Sequence, residues 1–566
     1  MAASLLSSPS LSSHRINQAF VHLHSSHQTG MRCNFKLYMV PAQAIRHYCT
    51  LRTSTSVASL NVDVACEGNS SAASSPSDLR SRSKTLLQSP SNASDGMNDL
   101  ERQLQELYDE VKAMILMGNK DDAVDLLQAN YGVVKKQINA GSRGIEEAAT
   151  LDVIALGYMA IGDLESVGPI LNLMNKVVES LKDDEPLLDS VLIHMGSMYS
   201  ALGKFESSMV AYKRAIGVLE SKHGKSSIFL VSPLLGMAKI LGSIGRVKKA
   251  IEVYHRSIAI LESSKGVESE DLVVPLFGLG NLLMKEGRTT DSEIHFNRIL
   301  SIYRKLYGEN DGRVGMALCS LAHAKCSTGN VEEAIDLYRK GLQLIKDTNY
   351  IALDDSIMEK MRIDLAELLH VVGRGKEGRE LLEECLLISE RSKGKDHPSS
   401  VSHLINLATS YSQSKNFVEA ERLLRISLEL MAKTVSPEDQ SITFPMLHLA
   451  VTLYHLNRDE EAEQLALKVL RIREKAFGKD SLPVGEALDC LISIQTRLRR
   501  GDAELLELLE RVLKIQEKEN PWSEEVMQTL KKIVYYLDKL GRKDEKFSIQ
   551  KRLSVLRMKY KQRVQY

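Results

Sequence analysis

Two small side chains return every 41 to 44 residues, one on each side of a turn, from about residue 100 onward. Taking the turn as a marker gives Gly118, Gly162, Gly203, Gly245, Gly287, Gly329, Gly373, Lys415, Asn457, Arg500 and Gly541. Seven residues before it stand Val111, Ala155, Gly196, Ala238, Gly280, Ala322, Ala366, Ala408, Ala450, Ser493 and Val534. Five residues after it stand Ala123, Val167, Ser208, Ala250, Ser292, Ala334, Gly378, Ala420, Ala462, Leu505 and Lys546. Columns of small residues beside large apolar ones are what two closely approaching helices require. Glycine dominates the marker because a turn leaving a helix favours a left-handed residue, and asparagine is the next-best occupant. Lys415 and Arg500 suit that conformation poorly, which predicts different turns there.

One copy shows the plan. In Val401–Thr434, Leu404, Leu407, Ala408 and Tyr411 make an apolar stripe with a period of about 3.6 residues. A polar break follows from Ser412 to Asn416, and Ala420, Leu423, Leu424, Ser427, Leu428 and Met431 make a second stripe. Neither helix can bury its stripe alone, so the expected fold is all-α: about eleven antiparallel helix pairs stacked over residues 100–566, loosening toward the ends.

The order small residue, aromatic, glycine, alanine resembles the tetratricopeptide repeat. The period of about 42 residues, where that family usually has 34, resembles its kinesin-light-chain subfamily. So does Gly394-Lys395-Asp396-His397-Pro398, with looser versions at Gly308-Glu309-Asn310-Asp311 and Gly478-Lys479-Asp480-Ser481, and so does Asn406-Leu407-Ala408 in a first helix. The resemblance implies a right-handed superhelical solenoid. Kinesin light chains also carry a long heptad region before the repeats. Here Leu100, Leu104, Leu107 and Val111 supply only a few turns, which the first repeat already uses.

Charge narrows the function classes. Basic and acidic side chains both number 73, and the first hundred residues take eight basic and five acidic ones, leaving 65 against 68. A slightly acidic repeat body is a poor match for phosphate-driven nucleic-acid binding. The seven cysteines form no C-x-x-C and no metal-ligand spacing, so no metal or cofactor is expected. No apolar run approaches the roughly 20 residues that span a bilayer.

The first acidic residue is Asp63, and residues 1–62 contain eleven serines and five basic residues. This acid-free, serine-rich start, with no charge before Arg15, resembles a plant chloroplast transit peptide, assigned here to residues 1–66. A mitochondrial presequence is the second choice. Residues 67–99 read as a serine-rich disordered linker that buries too little apolar surface to order itself.

Several motifs fail on context. Gly278-Leu279-Gly280 lies inside a predicted helix and Gly224-Lys225-Ser226 in a turn between repeats, neither after a strand as phosphate-binding loops require. Cys319 and Cys326 share a helix face with His323 but lack a fourth ligand, and read as groove lining. His194 and His448 occupy equivalent positions with no nucleophile to serve. The basic run from Lys546 (Lys551, Arg552, Arg557, Lys559, Lys561, Arg563) reads as a solvated cap helix or a contact for anionic lipid or RNA. No catalytic residue is assigned.

In the tetratricopeptide family, ligands lie against the first helices on the concave face. Carrying over that register points to Ile193, Leu235, Lys239, Phe277, Asn281, Met284, Lys285, Met316, His323, Ile405 and Tyr454, with Cys319 among further lining residues. A lining so apolar suits an extended or helical peptide. Lys239, Asn281 and Lys285 make an incomplete version of the clamp that chaperone-binding members use on C-terminal carboxylates. The expected function is a non-enzymatic scaffold for protein–protein contacts in the chloroplast, assisting assembly or regulation of a multiprotein complex. The alternatives are an RNA-binding helical-repeat protein and a cytosolic, kinesin-light-chain-like cargo adaptor. Peripheral membrane association is compatible with either scaffold reading.

Overall fold

The computed structural model describes residues 96–564. The expected transit peptide, and the expected linker up to residue 95, lie outside them. Among the described residues there are 22 α-helices, three short 3-10 turns and no strand. The helices form two compact units, one ending at Ile302 and one starting at Tyr303.

The first pairs are α1 (Gly96–Leu116) with α2 (Lys120–Asn139), α3 (Ile145–Ile161) with α4 (Leu164–Val178), and α5 (Leu188–Ala201) with α6 (Phe205–His223). Next come α7 (Val231–Ser243) with α8 (Val247–Lys265), and α9 (Val273–Lys285) with α10 (Thr289–Tyr307). The second unit continues with α11 (Gly312–Ser327), α12 (Val331–Asp347), α13 (Ser356–Val371), α14 (Gly375–Lys393), α15 (Ser400–Gln413) and α16 (Phe417–Ala432). It ends with α17 (Thr443–His455), α18 (Asp459–Phe477), α19 (Leu482–Arg497), α20 (Asp502–Glu519), α21 (Glu524–Lys539) and α22 (Lys543–Val564). These are the eleven pairs that the marker column counts. Leu100, Leu104, Leu107 and Val111 of α1 are buried in the core of the first unit and leave no apolar seam over for a coiled coil.

Within a pair the two small columns meet. Ala155, Ala238, Ala322, Ala366, Ala408 and Ala450 on first helices are fully buried, as are Val167, Ala250, Ala334, Ala420 and Ala462 on second helices. Where serine replaces alanine, its hydroxyl bonds across the seam: Ser208 Oγ donates to the Gly196 carbonyl, and Ser292 Oγ to the Gly280 carbonyl at 2.9 Å. At Gly378 an added Cβ would stand 2.8 Å from the Ala366 carbonyl, so this crossing has room for hydrogen only.

Every marker residue except Arg500 has positive φ, and Lys415 and Arg500 correct the sequence reading. Lys415 adopts the same left-handed turn as its glycine counterparts, with φ 61°. Its cost of about 1–2 kcal/mol is offset by the two backbone bonds that close the turn, Lys415 N–H to Ser412 O and Asn416 N–H to Tyr411 O, both 2.9 Å. In the tenth pair the left-handed residue is Arg499, φ 53°, and not Arg500. The turn there is one residue longer: α20 is preceded by Gly501, two positions after Arg499, whereas Arg458 precedes α18 directly after Asn457.

Contacts between pairs use different chemistry. Aromatic rings of second helices press into glycine notches on first helices. Between pairs, a Cβ on Gly236 would come within 3 Å of the Tyr212 ring and one on Gly278 within 3 Å of Tyr254; inside their own pairs the same kind of notch holds Tyr212 at Gly196 and Phe296 at Gly280. This is why Gly278 and Gly280 are glycines, and no phosphate loop is involved. A column of arginines, Arg214, Arg256 and Arg298, reaches back to the preceding pair. Arg214 donates to the Val178 and Leu181 carbonyls, Arg256 to Glu220 and the Lys225 carbonyl, and Arg298 to the Val267 carbonyl with Glu262 beside it. Arg511 repeats the device on Glu474 in the second unit.

Candidate partner-binding face

In the first unit, the first helices of successive pairs touch: α3 with α5, α5 with α7, and α7 with α9. Side chains pointing away from the second helices therefore share one surface. On α9 the division is sharp. Leu276, Leu279 and Leu283 are at most 2% exposed, whereas Phe277 is 44% and Val274 39% exposed on the other side. The Phe277 ring is not loose, because it rests edge-on against the buried Phe296 with ring centres 5.9 Å apart. Ile193, Leu235, Asn281 and Met284 are half-buried on the same set of helices, and Lys239 and Lys285 are exposed. The first unit thus brings seven of the expected residues onto one apolar face edged by two lysines.

In the second unit Met316 and Tyr454 are half-buried and His323 is exposed, while Leu321, between Met316 and His323 on α11, is buried. Ile405 departs from the expectation. It is only 7% exposed and belongs to the apolar core that runs through α15 and its neighbours. Cys319 departs as well. It is buried, and its Sγ lies 2.6 Å from where a Gly341 Cβ would be, so it fills the α11–α12 crossing and lines no groove. Burial pushes its thiol up to about 12, which makes it an inert packing group. Among the described residues no group of histidine, cysteine and acidic side chains is placed to hold a metal.

One participant escaped the sequence reading. The Arg497 guanidinium lies 3.5 Å from the centre of the Tyr454 ring and covers part of it. The signal was available in the register, since Arg497 stands one repeat after Tyr454 on the next first helix. The paired histidines also separate. His194 Nδ1 is 2.6 Å from Asp152 Oδ2, and both side chains are buried at the junction of α3 and α5. His448 lies instead near Arg473. Burial, with the nearby Arg473 charge, pushes its imidazole down to about 4, so it stays neutral. Both are structural groups.

Comparison with known families bears on this arrangement. The tetratricopeptide repeat family matches residues 271–347 and 358–433, and two related repeat families of the same description match 446–482 and 190–218. These are tetratricopeptide repeats. Among solved structures, this chain is similar to a Podosopora anserina chain described as a putative kinesin light chain with nearly identical TPR-like repeats. That pair is 22% identical, covering 36% of this chain and 95% of the other, with a TM-score of 0.33. BtubC from P. vanneervenii is 14% identical over 45% of this chain and 93% of its own, also with a TM-score of 0.33. A curated relative, the clustered mitochondria protein homolog of Meyerozyma guilliermondii, is 30% identical over 171 residues. This chain spans 13% of the length of that relative, and the match covers 29% of this chain.

Proposed function

We propose that this protein is a non-enzymatic scaffold of the chloroplast that holds an apolar segment of a partner protein against its first helices, and so assists assembly or regulation of a multiprotein complex. The observation that carries the binding reading is Phe277, a large apolar side chain held 44% exposed by a ring contact beneath it, next to exposed Val274 and half-buried Met284. An aromatic that is fixed before binding loses little entropy when a partner covers it, which is the usual property of an interface anchor. Tetratricopeptide repeats suggest a protein-interaction scaffold in general; the chloroplast rests on the acid-free, serine-rich composition of residues 1–62. No helix among the described residues is long and apolar enough to cross a membrane.

The test changes Phe277 and Met284 together to serine. The double variant is expected to keep its circular dichroism spectrum and to lose most of the partner recovered from organelle extract, with and without nuclease. Full recovery by a folded variant removes this face from the reading, and recovery that depends on intact RNA removes the protein partner. A fluorescent fusion of residues 1–70 that remains in the cytosol removes the chloroplast.

A further inference from the structure

The helix α22 packs through one side only. Leu553 and Leu556 are buried and Ile549 is packed beside them against the core of the second unit. The opposite side carries Phe547 at 71%, Met558 at 67% and Val555 at 45% exposure. Phe547, Lys551, Val555 and Met558 follow one another at spacings of three and four residues, so they form a ridge along about 16 Å of helix.

Charge on that ridge is one-sided. The acids of α22, Asp544 and Glu545, stand in its first turn, and Glu545 is taken up by Arg542. From Lys546 to Val564 there is no acidic residue. Part of the positive charge is spent inside the unit: Lys546 pairs with Asp538, Arg552 with Glu517, and Lys559 lies 4.6 Å over the Trp522 ring. Lys551 and Arg557 are exposed and have no acidic partner among the described residues. Lys551 stands within the ridge and Arg557 to one side of it.

We propose that this outer face of α22 docks on an anionic lipid surface, with Phe547, Val555 and Met558 entering the headgroup boundary and Lys551 and Arg557 lying among the phosphates. The shape selects this occupant. A peptide or a partner helix is normally held in a groove that closes around it, whereas this ridge stands outward from α22, with Phe547 71% and Met558 67% exposed. A bilayer needs no groove. It offers apolar depth beneath an anionic layer, and long basic side chains beside apolar anchors satisfy both at once.

The experiment is flotation of the full chain with vesicles. Phosphatidylcholine vesicles containing about a third phosphatidylserine should carry the protein, phosphatidylcholine alone should not, and added salt should release it. Lys551→Glu with Arg557→Glu should lower the apparent affinity about tenfold or more, since each cation near such a surface strengthens binding about fivefold. Phe547→Ser with Met558→Ser should lower it similarly at constant charge. All four positions are exposed, so melting midpoints should hold in both variants. The Phe277→Ser, Met284→Ser variant should float like the wild type, which keeps this result separate from the fate of the partner-binding face. No flotation of the wild type, equal flotation on neutral vesicles, or flotation unchanged in both α22 variants overturns the proposal. So does capture of single-stranded RNA by the wild type in place of vesicles.

Discussion

The turn inside a helix pair and the glycine turns that lead to a next pair both place a residue at positive φ, yet these two conformations accept different side chains. Inside the pair, glycine alternates with Lys415, Asn457 and Arg499. Between pairs, Gly224, Gly266, Gly394 and Gly478 combine a φ of 81° to 93° with a ψ of 156° to 165°. The first conformation is left-handed helical, which an L-residue can enter at modest cost. The second is a region that essentially only glycine occupies. The same contrast runs through the packing. Glycine notches filled by rings occur in both, but inside a pair the rest of the seam is alanine and serine, whereas between pairs it is arginines on carbonyls and a buried histidine–aspartate pair. A pair is closed by size, and a joint between pairs by direction and charge.

The largest effect that sharpens this contrast is expected inside the pair. Ala408 is fully buried against the next helix, and Ala408→Arg should lower stability by about 3 kcal/mol or more, because the seam has neither space nor a partner for the charge. An unchanged thermal midpoint would mean that the seam opens freely and that size does not close it.

A smaller and more selective comparison uses the two turns. An added Cβ meets nothing within 4 Å at either Gly373 or Gly394, so only backbone conformation separates them. Gly373→Lys copies what the chain already has at Lys415 and should cost about 1 kcal/mol. Gly394→Lys should cost about 2–3 kcal/mol. Equal shifts in midpoint would erase the distinction between the two turns.

The smallest expected effect concerns pH at a joint. Burial alone would push the His194 imidazole down, but Asp152 beside it more than offsets that and raises it. Burial raises the Asp152 carboxyl, with His194 pulling the other way. Both shifts mean that the folded joint holds a proton that the unfolded chain gives up. Its stabilisation is therefore fully present below the ordinary imidazole value of about 6.5 and is lost as pH rises through the raised value of the folded state. Denaturation midpoints of the wild type should fall between about pH 6 and pH 9 more than those of the Asp152→Asn, His194→Gln variant. Parallel profiles would show that this joint does not titrate.

Much of this was legible in the sequence and some was not, for physical reasons. The pairs, their number and the small seam could be read because a size requirement at a fixed contact leaves a repeating column. The arginine column at Arg214, Arg256 and Arg298 repeats at 42 residues too, but charged residues are common on helix surfaces and the column does not stand out until its carbonyl partners are seen. On α9 the register carried over from the family points to Phe277, and that side chain is exposed while the leucines around it are buried. Ile405 was misplaced because isoleucine is at home on either side of a helix, and only the neighbouring repeat decides which side is covered. Lys415 was misread because residue preference in a turn is weaker than two backbone hydrogen bonds.

The extra residue after Arg499 has a further consequence. Because α19 ends and α20 begins with their contacts intact on either side of it, the insertion has been absorbed entirely by solvent-facing backbone, like a splice that leaves both reading frames in phase. The spacing between repeats is thus a property of the helices and not of the residue count. Length can be edited at this connection: a protease recognition sequence placed there would open the chain on one edge while the helices on both sides kept their partners.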